Sequence, residues 1–134
     1  MNRYLAAYGA AVPAMMALDL LWLGVAAKDL YRRNLAHLMG TEVHWWAAAL
    51  FYLVYAAGIV YFAVLPGLEG KSLAKSAANG ALLGLLVYAV YDLTNLALLR
   101  DWPLALSALD ILWGGLATCV VAAAAYLAAA PRAG

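Results

Sequence analysis

Ala77-Ala78-Asn79-Gly80-Ala81-Leu82-Leu83-Gly84-Leu85-Leu86-Val87-Tyr88-Ala89-Val90-Tyr91-Asp92-Leu93-Thr94-Asn95-Leu96-Ala97-Leu98-Leu99 holds a single charge, Asp92, in twenty-three residues. About 20 predominantly apolar residues cover the hydrocarbon core of a bilayer as a helix, so the stretch reads as a membrane span. Outward from it lie three more such runs, from about Tyr4 to Ala27, Trp45 to Pro66 and Trp102 to Ala130, broken only by Asp19 and Asp110. The expected fold is an all-α integral membrane protein, a four-transmembrane-helix bundle in one domain over residues 1–134. The chain is 69% hydrophobic and 11% charged, against roughly a quarter charged in soluble domains. Its net charge of +1 offers nucleic acid no basic footprint. A single cysteine, Cys119, excludes a disulfide framework or a cysteine-rich metal site.

Four spans place both termini and the loop between the second and third spans on one face, A. The first and third connections then lie on face B. Val25-Ala26-Ala27 has the small residues of a signal-peptide cleavage site, but the run before it is too long and contains Asp19. Arg3, Lys71, Lys75 and Arg132 on face A balance Lys28, Arg32, Arg33 and Arg100 on face B, so the positive-inside count does not orient the chain. Pro66-Gly67 is expected to end the second helix, and Pro103 to sit in the first turn of the fourth after a tight turn. Residues 28–44 mix Leu30, Tyr31, Leu35, Leu38 and Met39 with Arg, Asn and His, as an amphipathic segment at the headgroups would. Tyr4, Tyr8, Trp45, Trp46 and Trp102 fall near span ends, where aromatic belts lie.

The three intramembrane acids share a depth. Asp19 precedes Lys28 by nine residues, Asp92 precedes Arg100 by eight, and Asp110 follows Asp101 by nine. At 1.5 Å per residue each lies about 12 to 14 Å inside face B. Gly80, Gly84, Tyr88, Asp92 and Asn95 form one drifting stripe, with glycines that permit close helix approach. Ser107, Asp110, Trp113 and Gly114 share a side of the fourth helix. Met15, Asp19, Trp22 and Leu23 share one on the first, and Tyr52 and Tyr55 reach the same level from the second. Keeping one such acid ionised costs roughly 2.5 to 3.5 kcal/mol, and protonating it at pH 7 about 4 kcal/mol from a reference pKa near 3.9. A second negative charge about 6 Å away adds roughly 3 kcal/mol at an effective dielectric of 20. The cluster is therefore expected to carry at most one or two charges unless a cation joins it. Infrared titration of the carboxyl groups in bilayers checks this, and three acids all ionised at about pH 5 without a bound cation would contradict it.

Ala17-Leu18-Asp19-Leu20-Leu21-Trp22-Leu23-Gly24 and Ala108-Leu109-Asp110-Ile111-Leu112-Trp113-Gly114-Gly115 agree at six of eight positions, on spans of opposite direction. Two explanations stand: an inverted repeat of helices 1 and 4, of the kind that brings a site to the middle of many transporters, or coincidence with similar packing needs.

The same residues support several chemistries. Asp19, Asp92 and Asp110 would hold a proton, a cation or a cationic lipid headgroup. Asn95 and Tyr88 would orient it, Trp22 and Trp113 would wall it through cation–π contacts, and Tyr91 and Tyr52 would belong to the same binding site. A homodimer would extend such a pocket. An enzyme acting on lipid would use one Asp as base and another, protonated, as acid. A structural subunit would use the acids, Asn95 and the tyrosines only as interhelical hydrogen bonds, which average well under 1 kcal/mol each. His37, Glu42 and His44 in the face B segment would suit a surface metal, a pH-sensitive lid or plain solvation. No span contains the histidine a haem pair needs, and Leu109 replaces the glycine framework of an aspartyl protease dyad. Covalent catalysis lacks a nucleophile arrangement, and no residue set calls for a cofactor.

Leu18-Asp19-Leu20-Leu21-Trp22-Leu23-Gly24, Leu50-Phe51-Tyr52 with Gly58, Tyr88-Ala89-Val90-Tyr91-Asp92-Leu93-Thr94-Asn95-Leu96 with Trp102-Pro103, and Asp110-Ile111-Leu112-Trp113-Gly114 closely resemble the bacterial predicted membrane proteins of the domain of unknown function 2177 family. The resemblance covers nearly the whole chain. It implies a small four-helix protein of the bacterial inner membrane without an established activity, and the neighbourhood of lipid-modifying enzymes implies a link to lipid.

Overall fold

Apolar runs in lipid must satisfy every backbone N–H and C=O internally, which leaves helices as the economical solution for these segments. A computed structural model describes residues 2–26, 28–35 and 44–131. Among them it shows helices and turns and no strand. Helix α1 covers Arg3–Leu21 and runs on through a π-helical turn, Trp22–Ala26; α2 is Lys28–Leu35. The second span is α3, Trp45–Ile59, a π-helical turn, Val60–Val64, and α4, Leu65–Glu69. Helices α5, Leu73–Leu98, and α6, Leu104–Ala129, complete a set of four helices long and apolar enough to cross a membrane. The chain is a multi-pass membrane protein lying in a lipid bilayer. Residues 36–43 of the face B segment, His37 and Glu42 among them, lie outside the described residues.

The helix ends differ from the sequence expectation where capping or tertiary contacts intervene. Asn2 Oδ1 accepts the Tyr4 N–H at 2.7 Å and starts α1. Ser72 Oγ accepts the Lys75 N–H at 3.1 Å, which starts α5 at Leu73, four residues before Ala77. Pro103 caps α6 from outside, with extended backbone, and does not occupy its first turn. The larger correction is at Pro66. The second helix does not stop there but continues to Glu69. Proline lacks the N–H that would bond the carbonyl four residues back, and its ring crowds that carbonyl. The preceding turn widens to π geometry, with the Leu65 N–H bonded to Val60 O. The Phe62 carbonyl that Pro66 cannot serve accepts Asn79 Nδ2 at 3.3 Å, and the Ser76 hydroxyl donates to Val64 O at 3.3 Å. Helix α5 thus supplies what the proline takes away. Replacing Asn79 by Val is expected to cost about 0.6 kcal/mol, the average of an interhelical hydrogen bond in a membrane, in reversible unfolding from mixed micelles. A loss no larger than that of Asn79→Gln would contradict the assignment.

Helix α6 is the hub. It meets α1, α5 and the second span, and its buried residues include Gly114, Gly115, Ala117, Thr118, Val121, Ala122 and Ala125. The α5–α6 pair is the closest, because small residues face each other: a Cβ built on Gly84 would lie 2.1 Å from the Gly114 carbonyl oxygen. In the face A half, Ala7, Ala11, Ala56, Ala63, Ala122 and Ala125 are fully buried, and the bundle closes there. In the face B half the inward residues are Trp22, Phe51, Tyr52, Tyr88 and Trp113, which hold the helices apart. Leu86, Val90, Leu112, Leu116 and Leu127 face outwards, toward the acyl chains.

Candidate functional site

Where the face B half opens, the helices enclose a cavity of about 600 Å³. Asp19, Trp22 and Leu23 of α1 line it, as do Ala48, Phe51 and Tyr52 of α3. From α5 come Val87, Tyr88, Tyr91 and Asp92; from α6 come Leu106, Asp110 and Trp113, with Trp102 from the turn before it. The three acids expected to share a depth do meet in one cavity. Asp92 interacts electrostatically with Asp110, and Asp110 with Asp19. Of the nine residues singled out in the sequence, eight line the cavity. Asn95, half-buried, does not: it lies one turn beyond Asp92 toward face B.

The acids differ in their surroundings. Asp19 is half-buried and accepts the Tyr52 hydroxyl at 2.6 Å. Asp110 is buried. Asp92 is 0% exposed, and among the described residues its carboxyl oxygens meet no nitrogen or hydroxyl donor; what faces them is the carboxyl of Asp110. The buried Trp113 Nε1–H has no hydrogen-bond partner among the described residues. Buried polar groups in native proteins are nearly always bonded, so these two mark a place where something else belongs. Among the described residues that line the cavity there is no lysine or arginine.

Aromatic rings make up seven of the fourteen lining residues. Trp22 and Trp113, the tryptophans of the two matching octapeptides, stack with centroids 4.7 Å apart and planes 9° off parallel. Trp102, which the sequence offered only as a belt residue, sits at the rim: its indole N–H donates to Ser107 Oγ at 2.9 Å, and its ring stands edge-on to Tyr91 at 6.0 Å and 88°. Ser107 in turn donates to the Pro103 carbonyl at 2.9 Å, so the turn itself fixes the rim. Below the acids, Tyr55 and Thr118 share a hydrogen bond of 2.6 Å beside a second void of about 10 Å³. Val121, Ile59 and Ala122 close the bundle beyond it. The sequence reading did not assign Ala48, Phe51, Val87, Trp102 or Leu106 to the site; the five-residue spacing of Trp102 and Ser107 across a helix start is the one local signal that points to the rim.

Fold and site together define a small polytopic membrane protein with an acid-floored, aromatic-walled cavity in one half of its bundle. Residues 4–127 match the family described as predicted membrane protein (DUF2177), and the chain belongs to that family. No curated protein and no solved structure matches the chain.

Proposed function

We propose that the protein is a binding or carrier protein of the bacterial inner membrane, in which Asp92, with Asp110 and Asp19, holds a proton, a cation or a cationic headgroup. The observation that carries this reading is the fully buried Asp92 carboxyl at the floor of a 600 Å³ cavity, set against the Asp110 carboxyl and without a nitrogen or hydroxyl donor among the described residues. A carboxylate in that position costs free energy until a positive donor reaches it. The rings of Trp22, Trp113, Tyr88 and Tyr91 add faces that attract a desolvated cation. The volume falls in the range that takes a drug-sized molecule. We read the matching octapeptides as an inverted repeat of the first and last spans, supported by the stacking of Trp22 on Trp113.

The test uses octylammonium as probe, with tryptophan fluorescence read on protein in lipid nanodiscs. Saturable binding is expected, weakened by about tenfold or more in Asp92→Asn, the worth of a charge-assisted hydrogen bond, while elution and helicity stay unchanged. Unchanged, wild-type affinity in all three of Asp19→Asn, Asp92→Asn and Asp110→Asn would overturn the proposal.

A further inference from the structure

The cavity wall is incomplete on one side. Helix α3 reaches α5 where the Tyr55 and Tyr88 rings lie 6.4 Å apart, and the second span otherwise packs on α5 mainly through Val60–Val64 and α4, nearer face A. Toward face B from that ring contact Phe51 on one helix and Tyr91 on the other line the cavity, as does Val87 beside Tyr88, yet they are 47%, 56% and 38% exposed. Residues that line an interior cavity and remain this exposed at membrane depth border a gap in the wall, and the medium outside that gap is hydrocarbon. At the headgroup end the Trp102 indole is pinned to Ser107 and stands against Tyr91, so an apolar ring borders the cavity there.

Resting on the reading of the acids as a cation site, we propose that the occupant is a single-chain amphiphile with an ammonium head, dissolved in the bilayer, which enters sideways between α3 and α5. Its ammonium meets the Asp92 carboxyl and supplies the nitrogen donor that this buried group lacks among the described residues. Its chain passes Phe51, Val87 and Tyr91 and trails into the lipid. The physical asymmetry favours this route. A water-borne cation would shed its hydration shell along a mostly apolar lining, with no charged partner until it reached the acids. An alkyl chain moving from lipid to a wall of Phe, Val and Tyr exchanges one apolar medium for another at little cost. A cavity walled by seven aromatic rings also exceeds the needs of a bare ion and suits an organic cation.

The test is photolabelling of the full chain in nanodiscs with dodecylammonium carrying a mid-chain diazirine, followed by peptide mapping. Label is expected on residues 48–52 and 87–91, competed by unlabelled dodecylammonium and absent with the neutral dodecanol analogue. It should fall by about tenfold or more in Asp92→Asn and return in Asp92→Glu. If Asp92→Asn fails to fold, as judged by gel filtration, Asp110→Asn supplies the same comparison. Competed, Asp92-dependent label confined to Trp102 and α2 would overturn the lateral route and leave the cation site standing. Label equally strong with the neutral probe and indifferent to the acids would overturn both.

Discussion

Gly84→Val is expected to dismantle the bundle, with a loss of about 3 kcal/mol or more, at the upper end for overpacked sites. A Cβ at Gly84 would lie 2.1 Å from the carbonyl oxygen of Gly114 and 2.7 Å from its carbon. These are backbone atoms of the hub helix, so no rotamer change relieves the clash, and α5 must move off α6. In lipid that separation has a particular cost. Helix association there rests on van der Waals contact and interhelical bonds, because the acyl chains are as apolar as leucine. Gly80, whose added Cβ would lie 2.7 Å from Thr118 O, and Gly115, against Leu85, are on the same seam and would open with it. Gly58 supplies the contrast, since nothing lies within 4 Å of its built Cβ. Gly58→Ala should be neutral or stabilising by up to about 1 kcal/mol, the helix propensity difference. Steric-trap unfolding in bicelles measures both, and similar values for the two variants would remove the α5–α6 contact from its central place.

The reach of the sequence follows from which constraints are local. The α5 stripe was legible because its four-residue step is set by helix geometry: Gly80, Gly84 and Asp92 are buried as that step requires, with Ser76 extending it. The common depth of Asp19, Asp92 and Asp110 was legible because rise per residue is fixed. Asn95 shows the limit. A step of three residues turns the helix back by about 60°, enough to carry its side chain off the cavity that Asp92 faces. The passage of the second helix through Pro66 was not legible either. The donor that makes it tolerable, Asn79, comes from another helix, so no window around Pro66 contains the compensation. The rim has the same character, because Trp102 joins Tyr91 across a turn where Asp101 takes a positive φ of 62°. The cavity's wider half was written in the composition of facing positions, alanine toward face A and rings toward face B, but only pairing the helices shows which positions face.

Asp92→Leu is expected to raise stability by about 1–3 kcal/mol, the usual penalty of a buried polar group left without a partner, while abolishing octylammonium binding. The sign is the point of the experiment. In a structural network each acid holds helices together, and removing one lowers stability. Asp92 is fully buried, has no nitrogen or hydroxyl donor among the described residues and faces a second carboxyl, that of Asp110, so leucine, close in shape, replaces an unmet demand with ordinary packing. Ser107 gives the opposite control. Its hydroxyl accepts from Trp102 and donates to the Pro103 carbonyl, and Ser107→Ala should lower stability by roughly 1 kcal/mol. Opposite signs at two buried polar positions of neighbouring helices would separate a group kept for a ligand from one kept for the fold. A stability loss in Asp92→Leu as large as that in Ser107→Ala would assign the acid to the fold, and with it the strongest reason to place a ligand in this cavity would go. A gain, joined to lost binding, is the signature of a site that trades stability for an occupant.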